Sequence, residues 1–212
     1  MKKIITISRE YGSGGRTVGK LVAEALGYSY YDSQIIDMAA KDSGLSAEYI
    51  AKNEQNLQSG WLYNLLLGSS YAFTAAGGTI SNQNPVLPLA DQVFNAQRKV
   101  IIELARKESC VIVGRCADFI LSNAKEINRS DLLNVFVYAE EADKVIRAVE
   151  KYSIPQGEAK KTVAQIDKRR ATHYNTFTEN VWGDRKNYDL MVNSSSSGIQ
   201  GAADFIVALA KM

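Results

Sequence analysis

Gly12-Ser13-Gly14-Gly15-Arg16-Thr17 is the segment whose residue types and spacing are best suited to chemistry. Glycines let successive backbone N–H groups converge on one point, and a helix that starts there adds about half a unit of positive charge. The natural occupant of such a nest is a phosphate. Arg16 then supplies a guanidinium that can grip phosphate through a bidentate fork, and Thr17 supplies a hydroxyl for magnesium in the first helical turn. The usual phosphate loop, G-x-x-x-x-G-K-[ST], carries a lysine instead. Gly14 to Leu21 nearly matches that pattern, with Gly19-Lys20 in place and Leu21 where the hydroxyl belongs. Periodicity rules the register out. Val18, Leu21, Val22, Ala25 and Leu26 already form one apolar helix face, which leaves Lys20 off that face as a solvated partner of Glu24.

Other chemistry-bearing residues fall where strands end. Asp32 follows a second strand, Gly114-Arg115 a third, and Asn193-Ser194 the last. Ligands of open α/β sheets bind beyond the carboxyl ends of the strands, so these positions belong to a pocket rim. Arg115 reads as a phosphate-facing cation or as a salt bridge holding strand to helix. Asp32 reads as a rim residue or as help in capping a helix before Ser33. A second basic cluster, Lys168-Arg169-Arg170 with Arg185-Lys186, suits a closing lid that brings cations to a transition state whose charge spreads over several oxygens. The same cluster also suits a solvated helix face. His173 is the single histidine and reads as structural, while Asp167 and Asp184 suit orienting arginines or a hydrated magnesium ion.

The elements that must hold these groups follow from hydrophobic patterning. Residues 3–8 read as a buried strand and 16–27 as a helix closed by Gly27. Tyr28 to Tyr31 is a short second strand, and Ser33 opens a helix to about Ser43-Gly44. Another helical pattern starts near Ser46, and the turn-rich stretch from Gly68 to Pro88 is irregular. A helix is expected from Leu89 to Lys107, then strands over Cys110–Gly114 and Leu132–Tyr138. Helix follows from Glu140 to about Tyr152, and Pro155 opens another to about Tyr174. Tyr188–Val192 is the last strand, and Ser194 to Gly198 turns into a terminal helix ending near Lys211. Five strands alternating with helices give a three-layer α/β fold with a mainly parallel sheet.

Composition narrows the classes. At 212 residues the chain suits one domain with inserts, and 46% hydrophobic with 23% charged residues is ordinary for a globular protein. A net charge of +2 with no long basic run argues against nucleic-acid binding. Two cysteines, Cys110 and Cys116, suit a reducing compartment without a disulfide framework or metal site. The apolar stretch after Lys3 stops at Ser8-Arg9-Glu10, and no segment approaches the roughly 20 apolar residues that span a bilayer. A cytoplasmic location is expected.

Gly12 through Gly27 resembles the opening of cytidylate kinases, and the chain as a whole is similar to the cytidylate-kinase-like proteins of the P-loop nucleoside monophosphate kinase group. Tyr31-Asp32, Val111 to Arg115, and Trp182 with Asp184 through Leu190 extend the resemblance, which is weak between Leu57 and Ala90. It implies a P-loop NTPase fold with three α/β/α layers and five strands, ATP as donor, Mg²⁺, and a nucleoside monophosphate or similar small phosphate acceptor. An insert over about 34–106 would hold the acceptor, and about 155–187 would be the lid. The departures are specific. Cytidylate kinases read G-S-G-K-G-T, so Gly15 stands at the lysine and Arg16 at a glycine. They read D-G-R-D after the third strand, where this chain has Val113-Gly114-Arg115-Cys116 without either acid.

The resulting expectation is a kinase that moves the ATP γ-phosphoryl group to CMP or a related acceptor. Residues 12–17 bind the donor and Thr17 its metal. Arg16, Arg115, Arg169 and Arg170 neutralise charge, and Asp32, Arg115 and Arg185 meet the acceptor. The alternative is a catalytically weak or inactive P-loop domain that senses a nucleotide. A dinucleotide-binding oxidoreductase, suggested by Gly12-x-Gly14 with Asp32 twenty residues on, fails because Thr17 occupies the third glycine position. The oligomeric state is left open.

Overall fold

The computed structural model describes residues 1–43 and 89–212. The helical pattern near Ser46, the irregular stretch Gly68–Pro88 and much of the expected acceptor insert lie outside the described residues.

Strand β1 (Ile4–Arg9) is the centre of the molecule. Its even and odd residues face opposite ways, as the period of two in a strand requires. Ile5 and Ile7 join Val18 and Val22 of helix α1 (Gly15–Leu26) and Ile206 of the C-terminal helix in one core. Ile4 belongs to a second core with Ile101, Ile112 and Leu132 on the opposite face. Both faces are apolar, the condition for a parallel sheet covered by helices on each side.

Strands β2 (Ser29–Tyr31), β3 (Cys110–Val113), β4 (Leu132–Tyr138) and β5 (Leu190–Asn193) complete a five-stranded sheet in the order β2-β3-β1-β4-β5. Every described pairing is parallel, with Ile7 opposite Val113 on one side and Val135 on the other. Consequently all five carboxyl ends open on one edge. Helices α1 and α7 (Ser194–Lys211) cover one face, while α2 (Gln34–Ser43), α3 (Leu89–Lys107) and the short α4 (Ala117–Ser122) cover the other. Helices α5 (Glu141–Tyr152) and α6 (Gln156–Phe177) form a hairpin with its own small core, in which Ala148, Ala159 and Val163 pack with Tyr11 at the edge of the glycine loop. This is the expected three-layer α/β/α P-loop NTPase fold.

Four local expectations are corrected. The last strand starts at Leu190, because Arg185–Asn187 first forms a 3-10 turn capped by the Asp184 side chain. Ser194 already begins α7 beneath the Asn193 cap, and the expected turn contracts to a kink at Gly198 (φ 68°, ψ 171°). Helix α6 runs on to Phe177. Lys20 does not pair with Glu24; its Nζ lies 5.9 Å from the centre of the Tyr30 ring.

Candidate active site

The glycine loop is built by exclusion. Gly12 (φ 76°) and Gly14 (φ 79°) are left-handed, a conformation that costs an L-residue about 1–2 kcal/mol. A Cβ on Gly12 would sit 2.5 Å from the Lys144 carbonyl oxygen. The loop is then tied from several elements. Ser13 Oγ donates to the Glu10 carbonyl at 2.8 Å, and Ser194 Oγ donates to the Ser13 carbonyl at 2.6 Å. Arg147 donates to the Gly12 carbonyl at 3.1 Å, and the Tyr11 amide donates to Asp167 at 2.6 Å. Helix α1 begins at Gly15; its N-cap residue Gly14 has no side chain to cap it, and the Gly15 amide makes only a long 3.4 Å bond to Ser13 Oγ. A rigid turn therefore feeds an open helix N-terminus, the arrangement that draws anions.

Beside this nest, the strand ends enclose a cleft of about 590 Å³. Among the described residues its walls carry Arg9, Arg16, Arg115, Arg169 and Arg170 with one acid, Asp32. Arg9, Arg16 and Arg170 border both the cleft and the smaller hollow over the glycine loop. Such a surplus of cations lowers the potential energy of any polyanion that bridges the two hollows.

Asp32 is the organiser of that charge. Buried at the end of β2, it meets Arg16 Nε at 2.5 Å and Arg9 at 3.8 Å, while its carbonyl accepts from Arg115 Nε at 3.2 Å. Thus Arg16 leans across the strand ends onto Asp32 with 55% of its side chain exposed, between the nest and the cleft. Arg170 reaches back from α6, donating to the Arg9 carbonyl at 3.1 Å and lying over the Tyr11 ring at 5.6 Å. Asp167 takes the orienting role. Besides the Tyr11 amide it meets Lys144 Nζ at 3.1 Å, and Lys144 also meets Glu10 at 3.0 Å. Burial raises the Asp167 carboxyl above its ordinary range even so. Arg169 lines the cleft, Thr17 is exposed in the first turn of α1, and Arg185 is exposed in the 3-10 turn outside the cleft-lining set.

The turn after β3 is strained. Gly114 (φ 77°), Arg115 (φ 57°) and Cys116 (φ 54°) are three consecutive left-handed residues. Strain of this kind persists only where the surroundings hold it, and it concentrates at functional sites. Here it turns Arg115 toward Asp32.

Two residues in this region, Arg9 and Asp118, escaped sequence reasoning, and His173, read as structural, also lines the cleft. Arg9 closes β1 and is the most enclosed of the arginines; burial and the Arg170 guanidinium push it down to about 9. Asp118, two residues past Cys116, is buried and accepts from Tyr174 at 2.7 Å and from Ser8 at 3.3 Å. Burial raises its carboxyl above the ordinary range. It joins α4, α6 and β1 beneath the cleft. His173, expected to be structural, lines the cleft with a buried Nδ1 that has no partner among the described residues. Burial and Arg115 hold it down at about 4, so its ring is neutral at neutral pH.

A glycine-rich turn at the end of the first strand of a parallel sheet, flanked by an arginine-bearing helical hairpin, is the fold of the P-loop kinases. Residues 4–196 match the cytidylate kinase-like family, and the chain belongs to that family. An uncharacterized protein from Eubacterium ventriosum ATCC 27560 superposes with a TM-score of 0.70 at 24% identity, over 99% of each chain. TT1252 from Thermus thermophilus gives 0.53 at 16% identity, over 100% of this chain and 98% of that one. A shikimate kinase from Bacteroides thetaiotaomicron gives 0.51 at 15% identity, over 99% and 98%. At these identities the likeness is one of fold. No curated protein matches the chain. Among the described residues, no helix is long and apolar enough to cross a membrane, and no cluster of acids, histidines and cysteines suits a metal ion.

Proposed function

We propose that this protein transfers the γ-phosphoryl group of ATP to CMP or a related small phosphate acceptor. The observation that carries the reading is the continuous row of arginines from the glycine loop into the cleft, with three of them facing both hollows. The donor's phosphates fit residues 12–17, where left-handed glycines and the start of α1, met by no side chain but a long bond to Ser13 Oγ, supply N–H groups and room. Mg²⁺ fits Thr17 together with phosphate and water oxygens, since this ion keeps several waters and needs few protein ligands. Bound there, it would neutralise charge on the donor phosphates.

The acceptor fits the cleft, with Asp32 and Arg115 at its rim and Arg169 and Arg170 closing from α6. In the transfer, an acceptor phosphate oxygen forms a bond to the γ-phosphorus while the bond to the β–γ bridging oxygen breaks. The electron pair leaves with ADP. A phosphate monoester is largely a dianion at neutral pH, so it needs no general base. A neutral, buried His173 is consistent with that economy. What the chain contributes is position and positive charge, the two effects on which phosphoryl transfer mainly relies.

ATP consumption measured against a panel of mononucleotides tests the reading. Turnover with at least one of them supports it. Tight ATP binding with no turnover across the panel favours a nucleotide sensor instead.

A further inference from the structure

The missing lysine of the glycine loop has a physical counterpart on the neighbouring strand. Arg9 is the last residue of β1 and shares the strand face of Ile5 and Ile7, which looks toward α1. Its stem therefore runs across the first turn of that helix. A Cβ added to Gly15 would lie 2.6 Å from Arg9 Cβ and 3.0 Å from its Cγ. No lysine fits at position 15 while an arginine stands at position 9 on this backbone. At the far end of the same side chain, a Cβ on Gly114 would lie 1.8 Å from an Arg9 guanidinium nitrogen. Two glycines on separate elements thus clear the path of one side chain, and Gly114 takes a left-handed φ of 77° to do so.

The side chain delivered this way is 18% exposed, borders both the nest and the cleft, and meets its acidic partner Asp32 at 3.8 Å. Arg16, Arg115 and Arg170 surround it with like charge. Arg16, the residue whose sequence position suggested it for the lysine's task, is bound to Asp32 at 2.5 Å. A largely desolvated cation among cations, whose acidic partner among the described residues, Asp32, is shared with Arg16 and lies at 3.8 Å, gains from an incoming anion.

We infer that Arg9 replaces the P-loop lysine: its guanidinium, threaded between Gly15 and Gly114, binds the terminal phosphates of a nucleoside triphosphate. This rests on the donor placement proposed above, but its test does not require turnover. Inorganic tripolyphosphate, ATP and AMP are titrated calorimetrically into the wild type, Arg9→Met, and the double variant Arg9→Ala with Gly15→Lys. Methionine keeps much of the stem and removes the charge. Arg9→Met is expected to weaken tripolyphosphate and ATP at least tenfold while AMP changes less than twofold. Its melting midpoint without ligand is expected to rise, because a crowded buried charge has gone, and a purely structural arginine would lower it. Placing lysine at 15 once the arginine is removed is expected to recover tripolyphosphate affinity to within threefold of wild type. Tripolyphosphate affinity of Arg9→Met within twofold of wild type would overturn the inference, as would a lowered midpoint with equal losses for all three ligands. A protein that binds tripolyphosphate through Arg9 yet turns over no acceptor would instead overturn the phosphotransfer reading alone.

Discussion

Arg16 and His173 both line the cleft, and each makes a residue-scale prediction. Arg16 is held to Asp32 at 2.5 Å but remains largely exposed, so its removal leaves the core untouched. Arg16→Ala is expected to keep the fold by circular dichroism and to lose roughly a hundredfold or more in turnover, the usual cost of removing a charge-stabilising donor. Unchanged turnover would contradict its role. His173 titrates at about 4 in the folded chain against 6.5 in the unfolded chain. Between those values the unfolded chain binds the extra proton, so stability falls as pH drops from about 6.5 to 4, by at most about 3 kcal/mol. Urea unfolding across that range measures the slope, and His173→Phe is expected to flatten it. A steeper slope in the variant would refute the assignment. At this scale Arg16, Arg115, Asp32, Arg169 and Arg170 were legible because charged residues directly follow apolar strands or cluster on one helix. Arg9 was not, because a charge ending a strand reads as a boundary. Asp118 was hidden because its partner Tyr174 is 56 positions away.

Elements explain how the loop holds its shape. The α5–α6 hairpin grips it from one side through Arg147, Lys144 and Asp167, and Ser194 of α7 grips it from below. Gly12 is the tightest point, where the loop passes the Lys144 carbonyl. Gly12→Ala is expected to destabilise the protein by about 1–3 kcal/mol, from left-handed strain together with the displaced hairpin, and to weaken ATP binding. Thermal unfolding and calorimetry check both effects; an unshifted melting temperature would show that the hairpin yields freely. Most elements were readable from apolar periodicity, β4 to the residue, because seven consecutive strand residues between polar turns admit little else. Helix α4 was not readable. Six residues are too few to display a 3.6-residue period, and its start depends on the left-handed turn at Arg115 and Cys116.

For the whole molecule, the parallel sheet is what makes the site possible. With all described strands parallel, the glycine loop, Asp32, Arg115 and the β5–α7 junction are forced onto one edge, and α6 needs only to lean over it. The fold and the sheet edge that carries the candidate site were legible for that reason. The identity of the acceptor was not, since it depends on which side chains converge in the cleft. Phosphorus NMR of the protein with ATP, Mg²⁺ and CMP tests the central claim most directly. The account predicts the appearance of CDP and ADP resonances in equal amounts, at an initial rate lowered roughly a hundredfold or more in Arg16→Ala. An unchanged ATP spectrum with CMP and every other mononucleotide offered, from a protein that binds ATP, would contradict it.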